Sequence, residues 1–165
     1  MIIMGRSLVV IALTLFCAQS AGAQNAGDTT NPKLIDALSK TRVTIAAALW
    51  AVKAPAVPLS AKVELGDRDQ PVLSVYTANR GVASSDRRDL SELKEDPLAD
   101  TWSPVSDRLR TSADIAEAQA ERRLIAKTKM SLAQIAKLAK ADQPGIVFSI
   151  APETNAGKPS SSCSF

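Results

Sequence analysis

An α+β fold is predicted for this 165-residue chain, on three observations. Hydrophobic periodicity alternates between stretches of helical spacing and stretches of period two. Hydroxyl or amide residues stand where helices need N-caps. Two ten-residue segments, Lys40 to Leu49 and Lys127 to Ala136, open on a similar pattern, each ahead of a period-two stretch. Together these predict two helix-plus-antiparallel-hairpin units packed together, with the second unit incomplete at the C-terminus.

The first 23 residues have the three parts of a secretory signal: a single cation at Arg6, an apolar run from Leu8 to Cys17, and Ala21-Gly22-Ala23 as a small-x-small cleavage site. The run is about half the length a spanning helix requires, so it reads as a removable address. Leu15-Phe16 suit lipid attachment at Cys17 poorly, which favours free release. Residues 24–165 are then expected in the periplasm or the medium, with no stable membrane insertion. They divide into 24–39, an N-terminal segment and short helix; 40–78, a first unit; 79–111, an exposed charged linker; and 112–165, a helix plus a second, partial unit.

Asn31-Pro32 opens the first helix, an N-cap followed by a residue favoured at the first helical position. Leu34, Ile35 and Leu38 would line one side of it. Ile45, Ala48, Leu49 and Val52 repeat at helical spacing behind Thr44, and Pro55 and Pro58 stop that helix. Leu59, Ala61, Val63 and Leu65 then alternate with polar residues, as in a half-buried strand. After the turn at Gly66–Gln70, Pro71 to Thr77 forms a second strand and closes a hairpin. Residues 79–104 are polar and proline-bearing, with at most a helical turn around Leu90 to Lys94; Trp102 is expected to pin this connection to the core. A helix begins near Ser112. A further one begins after Ser131, where Ser131 and Gln134 fit a capping box. Ile146, Phe148 and Ile150 restart the two-residue period, but Gly157 to Phe165 has poor strand chemistry.

The repeat itself is Lys40-Thr41-Arg42-Val43-Thr44-Ile45-Ala46 against Lys127-Thr128-Lys129-Met130-Ser131-Leu132-Ala133, an offset of 87 residues from Lys40 to Lys127. Internal repetition organises a chain more strongly than any single propensity. The phrase Val43-Thr44-Ile45-Ala46-Ala47-Ala48-Leu49, with Ala61-Lys62-Val63-Glu64-Leu65 and Val72-Leu73-Ser74-Val75-Tyr76 after it, resembles the PepSY family of peptidase-propeptide-like domains. Met130-Ser131-Leu132 resembles the start of a second copy. The resemblance covers Lys40 to Thr77 well and Lys127 to Ile150 weakly. It implies an α+β fold, export, and a non-enzymatic regulatory role such as peptidase inhibition, with no catalytic residues to carry over.

Composition narrows the chemistry. There is no histidine, and of two cysteines only Cys163 lies beyond the signal. A zinc site, a haem ligand pair and a His-based triad are therefore excluded, and no cofactor is expected. The net charge of +3 is spread along the chain without a basic stripe, which argues against nucleic-acid binding. Ser91-Glu92-Leu93-Lys94 has the Ser-x-x-Lys spacing of penicillin-recognising enzymes but lacks their other motifs. The expected function is that of a binding module that pairs a sheet edge with an extended partner segment, for example that of a peptidase. The docking edge is expected at Val72, Ser74 and Tyr76, or at Ile146, Phe148 and Ile150. The alternatives are a self-associating envelope component, with a homodimer joined through Cys163, or a small-ligand-binding protein.

Overall fold

A computed structural model describes residues 31–155 and 158–165. The segment read as a signal, 1–23, and the polar stretch 24–30 lie outside the described residues. The fold is α+β: four helices and a six-stranded antiparallel sheet. Helices α1 (Pro32–Ser39) and α2 (Ile45–Ala51) precede strands β1 (Val57–Leu65), β2 (Pro71–Ala78), β3 (Leu90–Glu95) and β4 (Val105–Arg108). Helices α3 (Ser112–Ile125) and α4 (Leu132–Asp142) follow, and β5 (Ser149–Asn155) and β6 (Lys158–Ser164) end the chain. The strand order is β4-β3-β2-β1-β5-β6.

Local chemistry places the helix starts. The Asn31 side chain accepts from the Lys33 N–H, and the hydroxyls of Thr44 and Thr111 accept from the Ala47 and Asp114 N–H groups. Ser131 and Gln134 form the reciprocal capping box, satisfying two of the donors a helix N-terminus leaves unpaired. Among the described residues no helix is long and apolar enough to cross a membrane.

Residues paired directly across antiparallel strands share a face, and successive residues alternate between faces. Ala61 pairs with Val75 and Ile150, Val63 with Leu73, and Val75 with Leu93. These side chains form one apolar face, and Leu34 of α1, Ile45 and Leu49 of α2, and Leu132 and Ala136 of α4 complete the core. Small residues such as Ala48, fully buried, let α2 approach α4. The opposite face carries Ser60, Lys62, Tyr76, Ala78, Leu90 and Glu92. Helix α3 crosses that face from β2 over β1 to β5 and bonds it through Glu121 and Ser60.

Two expectations are corrected. Residues 79–111, read as an exposed charged linker, carry two strands: Leu90 to Lys94, where at most a helical turn was expected, belongs to β3 on the outer edge of β2, and Val105–Arg108 pairs beyond it. The pattern Leu-Ser-Glu-Leu-Lys-Glu misleads because its two leucines serve different faces, Leu93 the main core and Leu90 the α3 side. The connection is also tied down internally. Buried Asp89 pairs with Arg80 at 2.8 Å and accepts from the Ser84 hydroxyl, while the Pro97 carbonyl accepts from the N–H groups of Arg42 and Val43. Trp102 is half-buried against the core, as expected. Second, the final hairpin is not incomplete. Lys158 to Ser164 pairs along β5 in unbroken register from Asn155↔Lys158 to Ser149↔Ser164. Serine's weak strand propensity is overridden by that backbone pairing and by the packing of Cys163 on the core.

Candidate functional site

Neither expected docking edge is an edge. β2 lies between β1 and β3, and β5 lies between β1 and β6, so Ser74, Tyr76 and Ile150 are paired with neighbouring strands on both sides, and Val72 pairs with Glu64 of β1 just beyond the end of β3. Ile150 is fully buried and Phe148 nearly so. Ile146 precedes β5 and is 40% exposed. Val72, Ser74 and Tyr76 do share a face, the one α3 partly covers.

The open edges are β4 and β6, and they differ. β4 is four residues long, fully exposed, and ends on Asp107-Arg108, the short, charged form that resists adventitious pairing. β6 is seven residues long and carries no charge after Lys158. Beside it an apolar groove of about 350 Å³ lies between α1 and the start of the last hairpin, walled by Leu34, Ile35, Leu38, Ile146, Phe148 and Phe165. Gly145 shapes it: a Cβ at that position would come within 3.2 Å of the Phe165 ring. The groove was hidden in the sequence because one wall comes from the segment read as non-strand. A second depression lies between α1 and the β1–β2 turn, and four of its five charged side chains are spent on one another: Lys33 pairs with Asp69 and Lys40 with Asp36, beside Arg68.

The polar face gathers three perturbed groups, Tyr76, Lys94 and, from α3, Glu121. Lys62 stands 5.8 Å over the Tyr76 ring and pairs with Glu64 at 2.8 Å; Lys94 pairs with Glu92 at 2.9 Å. Burial, then the charges of Glu92 and Glu64, hold the Tyr76 phenol well above its ordinary titration range. Tyr76 is the only tyrosine, so phenolate absorbance near 295 nm should stay absent through pH 11 in the folded protein. It should appear near pH 10, the free value, once urea unfolds it. Glu121 is pushed up to about 7 by burial, against the lowering bond from the Ser60 hydroxyl at 2.8 Å. Ser74, fully buried in the same face, has an Oγ without a partner among the described residues. A buried hydroxyl left unsatisfied costs about 1 kcal/mol or more. Ser74→Ala should therefore raise stability by about 1 kcal/mol in urea unfolding; a loss of that size would reveal a partner for the hydroxyl.

The Ser-x-x-Lys spacing brings no nucleophile and base together. Strand alternation puts Ser91 and Lys94 on opposite faces; the Ser91 hydroxyl accepts from Asn79 at 2.7 Å, and Lys94 is paired with Glu92. Cys163 sits opposite Ile150, half-buried, and burial raises its thiol. A disulfide between two copies needs that thiol at the surface as thiolate. In protein comprising residues 24–165, Cys163 should react with an aromatic disulfide reagent at pH 8 at least tenfold more slowly than in urea, and the chain should run as a monomer without reductant.

Compared with protein-family models, curated proteins and solved structures, the chain matches none.

Proposed function

We propose that this is an exported, non-enzymatic binding protein that takes an extended segment of a partner protein onto the outer edge of β6. The observation that carries this is the contrast between the edges: β4 is short and charged, whereas β6 is long, uncharged from Ser160 to Ser164, and bordered by an apolar groove. Strand addition draws affinity from backbone hydrogen bonds and selectivity from pockets for alternate side chains, and both elements are present here. A peptidase is the partner class implied by the PepSY resemblance, and peptidase clefts also accept extended chains.

Support for a two-unit, PepSY-like organisation comes from spacing. The N-caps Thr44 and Ser131 stand 87 residues apart, as Lys40 and Lys127 do, and so do Lys62 and Ser149, which pair directly across the β1–β5 junction. Equal spacing of this kind is what a local two-fold axis through that pair requires, with α2 packed on α4 beside it. Helices α1 and α3 depart from that symmetry, one on each face of the sheet.

The test is a photo-crosslinking residue at Ser162, used with envelope and secreted fractions of the source organism. A peptidase crosslinked there and inhibited on stoichiometric titration supports the proposal. Crosslinking from a control position on β4 but not from β6 would overturn it.

A further inference from the structure

The charges around β6 point to the chemistry of the partner, an inference that rests on the edge-docking reading above. α4 packs against β5 and β6 and exposes Lys137 and Lys140, and Lys158 opens β6 itself. Lys127 and Lys129, just before α4, are exposed as well. None of these five takes part in an ion pair among the described residues, whereas four of the five lysines outside this stretch, Lys33, Lys40, Lys62 and Lys94, do. The only carboxylates of the stretch from Lys127 to Ser164 are Asp142 and Glu153. The flank of the open edge is thus cationic, five lysines against two carboxylates, while residues 31–126 balance fourteen cations with fourteen carboxylates.

We infer that the segment β6 receives is acidic, alternating carboxylates with small residues, and anchored by an apolar side chain in the groove between α1 and Phe165. A second copy of this chain fits less well. Pairing β6 with β6 would set two lysine-bearing α4 helices beside one another, and like charges brought together in this way repel. A carboxylate-bearing strand meets the same lysines as counter-ions and lets the uncharged serines of β6 approach backbone to backbone. The groove supplies the second element of recognition: Ile35 and Ile146 are 54% and 40% exposed on its rim, Phe148 is buried on its floor, and Phe165 closes one side against Gly145.

Three labelled nine-residue peptides test this by fluorescence anisotropy with the full chain: threonine alternating with glutamate, glutamine or lysine, each with leucine at both ends. The glutamate peptide should bind about tenfold tighter than the glutamine peptide and the lysine peptide weakest, with the difference shrinking in 0.5 M salt, where screening acts within about 4 Å. In every complex, the β6 amides should be protected from hydrogen exchange. Lys137→Glu with Lys140→Glu should remove the glutamate preference and leave the glutamine peptide unchanged. Ile35→Glu, at an exposed site, should weaken all three. Equal binding of the three peptides, or a preference for lysine, would overturn the acidic partner and leave edge docking standing. Failure of every peptide to protect β6 would overturn both.

Discussion

Ile150→Ala is expected to destabilise the protein by about 3–4 kcal/mol, in the upper range for truncating a buried isoleucine. Ile150 is fully buried, directly opposite Ala61 on β1 and Cys163 on β6. Because Ala61 is small, Ile150 fills the space between the sheet and α4 at the point where the two halves of the sheet join. Neither neighbour can extend into a void there, so the cavity term adds to the lost transfer energy. Ile146→Ala, at a rim position 40% exposed, is the control and should cost less than about 1 kcal/mol. Urea unfolding gives both values. A loss at Ile150 no larger than that at Ile146 would mean that the β1–β5 junction is not a centre of the core.

The second large effect is a pH dependence centred on Glu121. Burial is the main cause of its rise to about 7 from 4.5; Ser60 lowers it, Glu117 raises it and Lys62 lowers it again. Below pH 4.5 the folded and unfolded chains both hold the proton. Between 4.5 and 7 the unfolded chain releases it and the folded chain retains it, so stability falls as pH rises. Above 7 the buried carboxylate is charged, at a cost on the order of 3 kcal/mol. With no histidine in the chain, this window holds little other side-chain titration. Glu121→Gln should therefore flatten the stability profile between pH 5 and 8 and make the protein about 2–3 kcal/mol more stable at pH 8. An unchanged slope in the variant would locate the titration elsewhere.

The helices could be read from the chain because each start carries its own chemistry. Asn31, Thr44 and Ser131 cap the helices they were expected to cap, and the β1–β2 hairpin follows from strict alternation between Leu59 and Leu65. What escaped the sequence was decided by tertiary pairing. β3 has a pattern that suits a helical turn as well as a strand, and it extends because the outer edge of β2 is there to receive it. β6 consists largely of serine, and its strand is made by the register it keeps along β5. The candidate site was misplaced for the same reason. Val72 to Tyr76 looks like an edge only until β3 is known, and the actual open edge was the segment with the weakest intrinsic signal. Residues of the groove were visible singly, Ile35 and Phe148 among them, but their convergence depends on the position of Phe165 after β6.

The pairing of Ala61 with Ile150 has a consequence for how the chain comes to be folded. Strands β1 to β4 are contiguous in sequence and can assemble by local hairpins, whereas the strand that covers the other side of β1 is separated from it by both α3 and α4. Contacts between distant residues form slowly because a long loop must close first. Until Ser149–Asn155 has emerged, β1 is an outermost strand rich in valine, leucine and alanine, with its ladder groups unfilled. Were the chain delivered through an export channel from its N-terminus, as the proposed function has it, such an arrangement would delay completion of the sheet until nearly all residues were across. It also makes β1, in that interval, the natural target for a holding chaperone.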